Sequence, residues 1–244
     1  MELSKRLQTI ADMVSPGLTV ADVGCDHGFV SIYLYEKHIT KKVIAMDLRP
    51  GPLARAKEHI EAFGYAEYIE TRLSDGVTAL AVGEAEAVIC AGMGGRLMAK
   101  ILSDGYEKVI AMKELVLQPQ SELQFFRAFL RENNLHIIEE DMVKEDGKYY
   151  PILKVVPGVE QSATETNSQR IADCFGPCLI AKKHPVLKEF LEMLLERNRD
   201  ILVRIKNSDA QNGESRNALR IQTLEEEIKD IVYCLSLYNG RNTI

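Results

Sequence analysis

Short β-like runs alternate with helical patterns from residue 18 onward, and this alternation constrains the fold more than any other feature of the sequence. Strands that alternate with helices predict an α/β fold, in which a mostly parallel sheet is covered by helices on both faces. In such a sheet, ligands bind beyond the carboxyl ends of the strands. The predicted strands are Leu18–Val23, Lys42–Asp47, Tyr68–Leu73, Glu86–Ala91 and Glu114–Gln118.

The pattern changes after residue 135. The β-like runs His136–Met142 and Tyr149–Val156 are joined by a short segment that contains Asp146 and Gly147, and no helix fits between them. They predict an antiparallel hairpin at the edge of the sheet. Just before this hairpin, Ser121 is the predicted N-cap of a helix that runs through residue 132.

Two long helical patterns follow the polar segment after residue 158. The seam residues from Leu187 to Ile205, and those from Ile221 to Leu235, recur at alternating spacings of four and three, which is the heptad spacing of coiled coils. We predict a C-terminal α-helical coiled-coil hairpin with Asn198 on its seam, and two helices of an ordinary bundle are the alternative. The expected domains are residues 1–160 and 161–244. We expect a monomer, although heptads can also join two copies.

Composition excludes several classes of protein. The chain is 46% hydrophobic and 27% charged, as ordinary globular proteins are, and no apolar run reaches the roughly 20 residues of a membrane span. The charged N-terminal segment predicts a short amphipathic helix and not a signal peptide. Five cysteines at scattered positions favour reduced thiols and a cytoplasmic location over a disulfide framework. Cys174 and Cys178 lack a second cysteine pair or a histidine cluster, so we expect no metal site.

Residues 20–29, VADVGCDHGF, lead a predicted strand into a turn. A dinucleotide-binding turn carries three glycines as G-x-G-x-x-G and places a pyrophosphate on the next helix. This turn has only Gly24 and Gly28, and the Asp26 carboxylate between them would repel a pyrophosphate. A nicotinamide oxidoreductase is therefore disfavoured. The turn favours a ligand that is neutral or cationic at this end, such as S-adenosylmethionine.

The ends of the next strands support this ligand. Asp47 can accept hydrogen bonds from both ribose hydroxyls, Asp75 can accept from the adenine amino group, and Gly92 lets the backbone approach the methionine end. A strand-end aspartate is often only a helix cap, so the prediction depends on the succession of these residues along consecutive strands. The predicted cofactor-binding residues are Asp22, Gly24, Cys25, Gly28, Asp47, Leu48, Asp75, Gly76, Ala91, Gly92 and Met93.

Five segments, ADVGCDHGFVSIYL, VIAMD, LSDG, AGMGG and LVLQPQSE, carry a family resemblance. Together with DCFGP before the helical hairpin, they resemble the bacterial tRNA (adenine-N1)-methyltransferase family that modifies adenosine 22 of tRNA, over nearly the whole chain. The resemblance implies a class I methyltransferase domain, which is Rossmann-like, followed by a C-terminal coiled-coil domain. It also implies S-adenosylmethionine as the methyl donor and tRNA as the substrate.

For this reaction Asp26 is the predicted catalytic residue, because its carboxylate could accept from the adenine amino group and stabilise developing positive charge. The alternative is that Asp26 only binds the cofactor's ammonium group or caps the turn. Residues 92–95 lack the polar side chains with which enzymes hold an exocyclic amine, and N1 of adenine has a lone pair already available. The predicted substrate-binding residues are His27, Gln118, Gln120, Arg6, Lys182 and Lys183.

Contact with tRNA would depend on a local basic stripe, because the formal net charge of the chain is −6. Residues 182–206 contain seven lysines and arginines against four aspartates and glutamates, although most such charges on a helix are simply solvated. His27 could stack on a base, move a proton or be purely structural. Two rival functions remain: a methyltransferase for another RNA site, a protein or a small molecule, and a non-catalytic RNA-binding module that would fail to bind S-adenosylmethionine.

Overall fold

The computed structural model describes residues 1–158, 167–212 and 217–238. The chain divides into two compact units, Met1–Thr166 and Asn167–Ile244. The strands of the first unit are β1 (Thr19–Val23), β2 (Lys42–Asp47), β3 (Ile69–Leu73), β4 (Ala87–Met93), β5 (Glu114–Pro119), β6 (Leu135–Glu145) and β7 (Lys148–Pro157). Its helices are α1 (Lys5–Asp12), α2 (Phe29–Glu36), α3 (Pro50–Ala62), α4 (Gly95–Asp104), α5 (Tyr106–Val109) and α6 (Leu123–Glu132).

The strands form one seven-stranded sheet in the order β3-β2-β1-β4-β5-β7-β6. The strands from β1 to β5 pair in parallel, whereas β7 runs antiparallel to both β5 and β6. The predicted α/β fold, with its mostly parallel sheet and an antiparallel hairpin at one edge, is therefore confirmed. The order of the strands reverses between β1 and β4, and this is where ligands bind in open α/β sheets.

Alternate residues of each strand face opposite sides of the sheet. On β1, Val20 belongs to a buried cluster that includes Ile10 of α1 and Ile60 of α3. Its neighbour Ala21 belongs to a second cluster that includes Phe126 of α6. Helices α1, α2 and α3 thus cover one face, and α4, α5 and α6 cover the other, which leaves the carboxyl ends of the strands free to form a site.

Two predicted details of this unit are wrong. The N-cap of α6 is Glu122 in a left-handed conformation with φ of 55°, and not Ser121. The carbonyl oxygen of Ser121 instead accepts a hydrogen bond from the amide of Gly95 at the start of α4, so Ser121 joins two turns and does not cap a helix. Strand β4 also continues past Ala91 to Met93, because a bulge at Gly92 lets its pairing with β5 resume.

The second unit is helical in its described part, with α7 (Asn167–Phe175), α8 (Pro177–Ala181), α9 (Pro185–Asn212) and α10 (Ala218–Tyr238). Helices α9 and α10 pack against each other as a hairpin. Asn198 is 3% exposed on the inner face of α9, and its Nδ2 donates to Glu227 Oε2 of α10 over 2.9 Å. No helix in the described residues is both long enough and apolar enough to cross a membrane.

A buried ion pair joins α6 to β6. Arg127 Nε lies 2.9 Å from Glu140 Oε1, and the two side chains are 2% and 0% exposed. Removing one partner of a buried pair is strongly destabilising, because a charge then remains in a medium that solvates it poorly. We expect Arg127→Met to lower the free energy of unfolding by about 3 kcal/mol in urea titrations.

An exposed ion pair provides the matched control. Lys57 and Glu61 lie one turn apart on α3, with side chains 63% and 55% exposed. Lys57→Met should leave the unfolding midpoint nearly unchanged, because water already solvates both charges. Equal losses in the two variants would contradict a stabilising role for Arg127 that depends on burial.

Candidate active site

A cavity of about 550 Å³ lies at the carboxyl ends of the central strands. Its wall takes residues from the ends of β1 and β2, from the turn after β3 and from the end of β4, together with Arg6 of α1. This volume is within the range of roughly 300–1,000 Å³ that is typical of pockets for small organic ligands. The topology places the cavity where the sheet reverses its strand order.

Most of the predicted site residues line this cavity. The structure brings together the turn after β1, the end of β2, the turn after β3 and the end of β4, although these lie far apart in sequence. The predicted residues on the wall are Arg6, Asp22, Gly24, Cys25, Asp26, His27, Asp47, Leu48, Asp75, Gly76, Ala91, Gly92, Met93 and Gln120.

Four predicted residues are not brought to the wall. Gly28 lies at the N-terminus of α2, where a side chain would put its Cβ 3.2 Å from the Cβ of Ala56, so this glycine allows α2 and α3 to approach. Gln118 is fully buried behind the cavity. Lys182 and Lys183 follow α8 in the second compact unit.

Several residues of the cavity wall were not predicted from the sequence. They are apolar or flank a predicted residue, as Phe29, Arg49 and Ser74 do, and no chemical motif marks them. Only their position next to glycines or aspartates at strand ends could have identified them from the sequence. Leu97 on α4 follows the glycines after β4 and is 50% exposed, so it contributes an apolar surface that the sequence pattern alone assigns to no site.

The turn after β1 is shaped by glycine. Gly24 has a φ of 75°, which glycine adopts without steric cost. The amides of Gly24 and Cys25 both donate to the carbonyl oxygen of Met46, over 2.8 and 3.0 Å. A side chain at position 24 would place its Cβ 2.3 Å from Met93 Cε. The absence of a side chain at Gly24 therefore lets Met93 of β4 close against the turn.

Two buried carboxylates lie inside the cavity. Asp22 is 4% exposed and accepts a hydrogen bond from Ser31 Oγ over 2.6 Å. Burial raises the pKa of Asp22 to about 6, the Ser31 hydrogen bonds lower it, and the nearby Asp47 carboxylate raises it further. Asp47 is 6% exposed, and its Oδ1 accepts from the amide of Arg49 over 2.8 Å, which orients the carboxylate. The cavity thus favours a ligand that carries positive charge.

Asp26 lies at the edge of the cavity and differs from these two carboxylates. Its side chain is 57% exposed, with Oδ2 3.6 Å from His27 Nε2 and Oδ1 3.9 Å from Arg55 Nη2. Its φ of 48° is in the left-handed region, which aspartate and asparagine tolerate better than most residues. The carboxylate can therefore meet a molecule that enters from solvent.

Aromatic rings line the same edge. The rings of His27 and Phe29 lie 5.6 Å apart at 15°, and those of Phe29 and His59 lie 5.0 Å apart at 16°. His59 Nδ1 is 2.9 Å from the carbonyl oxygen of His27, which fixes α3 to the turn. Phe29 remains 36% exposed, so the edge offers a flat apolar surface. The part of the chain that the structure describes contains no cluster of three potential metal ligands.

Comparison with known proteins agrees with this geometry. Residues 3–153 match a family model described as a methyltransferase domain. The chain is 30% identical over 232 residues to the tRNA (adenine(22)-N(1))-methyltransferase of Bacillus subtilis, covering 95% of this chain and 98% of that protein.

Solved structures share the fold over both units. The crystal structure of the Bacillus subtilis m1A22 tRNA methyltransferase TrmK is 30% identical, with a TM-score of 0.83 and coverage of 96% and 99%. Sp1610 of Streptococcus pneumoniae, solved in complex with S-adenosyl-L-methionine, is 31% identical, with a TM-score of 0.82 and coverage of 96% and 100%. The chain belongs to the family of bacterial tRNA (adenine(22)-N(1))-methyltransferases.

Proposed function

We propose that this protein transfers a methyl group from S-adenosylmethionine to N1 of adenosine 22 in tRNA. The observation that carries the proposal is the set of carboxylates around one cavity: Asp22, Asp47 and Asp75 at successive strand ends, and Asp26 at the edge. S-adenosylmethionine has a sulfonium, an ammonium group and a ribose but no phosphate, and it fits this set of negatively charged hydrogen-bond acceptors. A dinucleotide would bring its pyrophosphate against Asp22 and Asp26.

Each wall residue has a chemical part in holding this ligand. The Asp47 carboxylate, already oriented by the Arg49 amide, accepts from the two ribose hydroxyls. Asp75 accepts from the adenine amino group, and the negative charge of Asp22 favours the cationic part of the molecule. S-adenosylmethionine supplies an electrophilic methyl group when it is bound, and the absence of a side chain at Gly92 leaves room beside it.

The acceptor base enters at the edge of the cavity. In a duplex, N1 of adenine faces its partner base, so the target must be unpaired or extruded before it can react. The exposed ring of Phe29 and the neighbouring His27 can stack on such a base. Asp26 then accepts from its amino group and stabilises the positive charge that forms as N1 attacks. Positioning N1 in line with the methyl group supplies much of the rate increase.

Binding of the tRNA backbone requires basic residues as well. Gln120 and Arg6 present donors near Gly92, where a Cβ would lie 3.7 Å from Gln120 Nε2 and 3.9 Å from Arg6 Nη1. We assign Lys182 and Lys183 of the second unit to phosphate contact. Within the 182–206 stripe, Lys188 is paired with Glu192 and Lys206 with Glu225 of α10. Glu225 thus adds a negative charge beside the stripe that the count over residues 182–206 does not include.

The test uses labelled S-adenosylmethionine and an unmodified tRNA transcript, followed by digestion to nucleosides. We expect the label in 1-methyladenosine, and we expect no label when adenosine 22 of the transcript is replaced. A label that persists after this replacement would move the reaction to another site. Cofactor binding without any label would indicate a different acceptor, and failure to bind the cofactor would favour a non-catalytic RNA-binding module.

A further inference from the structure

Gln118 is a polar side chain inside the protein core, and it forms hydrogen bonds with two residues that line the cavity. It lies near the end of β5 and is 0% exposed. Its Oε1 accepts from the amide of Gly92 and from Nη1 of Arg6, both over 3.1 Å, and its Nε2 donates to the carbonyl oxygen of Pro119 over 3.2 Å. The two donors use both lone pairs of the carboxamide oxygen. A buried amide placed in this way fixes the groups it contacts.

The Gly92 amide needs this acceptor because β4 has a bulge there. Ala91 pairs with Gln118 and Met93 pairs with Pro119, so Gly92 is the extra residue of the bulge. Its φ is 78°. Bulged residues leave the hydrogen-bond ladder of the sheet, and a free amide must then find another partner. The Gln118 side chain supplies the partner that a neighbouring backbone carbonyl would otherwise supply.

Arg6 connects this bulge to the edge hairpin. The amide of Arg6 donates to Glu145 Oε1 of β6 over 3.1 Å, and its guanidinium lies 5.3 Å from the ring centroid of Tyr150 on β7. The same guanidinium reaches Gln118 and lines the cavity. Helix α1 is therefore fixed on the hairpin side and contributes Arg6 and Leu7 to the wall of the cavity.

We propose that Gln118 and Arg6 act together as positioning residues that hold the Gly92 bulge, and so set the wall of the cavity beside the methyl group of the bound cofactor. The bulge positions two wall residues. Met93 lies against Gly24, and its carbonyl oxygen accepts from the amide of Gln120 over 2.8 Å. A bulge that moves carries Met93 and Gln120 with it. The effect on methylation rests on the proposed function, whereas the hydrogen bond to Gly92 does not.

The first experiment measures amide hydrogen exchange at Gly92 by NMR in Gln118→Leu, Gln118→Glu and the native protein. Residue 92 is exposed, so protection of its amide comes from the hydrogen bond to Gln118. We expect exchange to be about tenfold faster in the leucine variant. Protection should persist in the glutamate variant, because a carboxylate oxygen can accept from both Gly92 and Arg6. Unchanged exchange in the leucine variant would overturn the proposal.

The second experiment measures single-turnover methylation at saturating cofactor. With tRNA saturating as well, Gln118→Leu and Arg6→Met should each lower the rate about 10- to 100-fold, since small displacements of the wall beside the methyl group are costly to the rate. The double variant should be no slower than the slower single variant, because the two residues act as one unit. Gln118→Glu should stay within about threefold of the native rate, because its carboxylate still holds the Gly92 amide and Arg6.

Arg127→Met separates positioning from lost stability. Arg127 lies outside the cavity, and Arg127→Met is expected to destabilise the same unit. The methylation rate of this variant, measured below the melting temperature of the variant, should therefore stay near the native rate. A rate loss in Gln118→Leu that matches Arg127→Met, or losses that add in the double variant, would overturn the positioning role. If the native protein fails to methylate tRNA while Gly92 exchange behaves as expected, the proposed function fails and the hydrogen-bond pair stands.

Discussion

Asp26→Asn should lower the single-turnover rate of methyl transfer about 100-fold, while the dissociation constant for S-adenosylmethionine changes less than about threefold. The carboxylate is 57% exposed at the edge of the cavity, where we propose that the acceptor enters. Asparagine keeps the shape of the side chain and tolerates the left-handed backbone at this position. The substitution therefore removes the charge that would stabilise a cationic adenine and changes little else.

A second aspartate in the same backbone conformation provides the control. Asp146 has a φ of 49° in the turn between β6 and β7 and does not line the cavity. Asp146→Asn should leave both the rate and the dissociation constant unchanged. Rapid quench with enzyme in excess over tRNA, and with saturating cofactor, gives the single-turnover rate. Calorimetry gives the affinity for S-adenosylmethionine. Equal losses of rate and affinity in Asp26→Asn would make Asp26 a cofactor ligand and not a catalytic residue.

The order of strands and helices was predictable because it depends on local patterns. Alternation of β-like and helical periods gave β2 its observed bounds, Lys42–Asp47, and gave β1 to within one residue. Parallel strands place their carboxyl ends at one edge, so Asp22, Asp47 and Asp75 could be expected to meet there. The structure does bring them to one cavity.

The hydrogen bond from Gly92 to Gln118 could not be predicted, because it depends on a bulge in the neighbouring strand. The register between β4 and β5 shifts at Gly92, and this bulged residue leaves the hydrogen-bond ladder. The contact between Arg6 and Gln118 joins residues 112 positions apart, and no local pattern reports such a contact. Both residues could be singled out from the sequence, but Gln118 was expected to contact the substrate.

Asp22→Asn should weaken binding of S-adenosylmethionine and at the same time stabilise the protein. Asp22 is buried, and burial raises its pKa from 3.8 to about 6. Between these two values the folded state binds the proton more tightly than the unfolded state does, so stability falls as pH rises through this range. Above pH 6 the loss of folding stability is complete, and the pKa shift from 3.8 to about 6 limits this loss to about 3 kcal/mol.

Asparagine keeps an acceptor for Ser31 Oγ but carries no charge. At pH 7.5 we expect the free energy of unfolding to rise by about 1–3 kcal/mol in urea titrations. The fall in stability between pH 4 and 6 should become shallower. Affinity for S-adenosylmethionine should drop about tenfold, since a charge that favours the cationic ligand is lost. In the native protein, affinity should rise as pH increases through about 6, and this rise should be absent from Asp22→Asn.

Ser31→Ala tests the Asp22 carboxylate by removing the side chain that donates a hydrogen bond to it. It leaves Asp22 in place and removes the hydrogen bond that lowers its pKa, so the pH midpoint for cofactor binding should move upward while the charge remains available above it. Calorimetric titrations from pH 5 to 8 follow both variants. If Asp22→Asn is less stable than the native protein at pH 7.5 and binds the cofactor equally well, the carboxylate is structural. If stability rises and affinity falls together, the native protein keeps a buried charge at a cost in stability because its ligand is a cation.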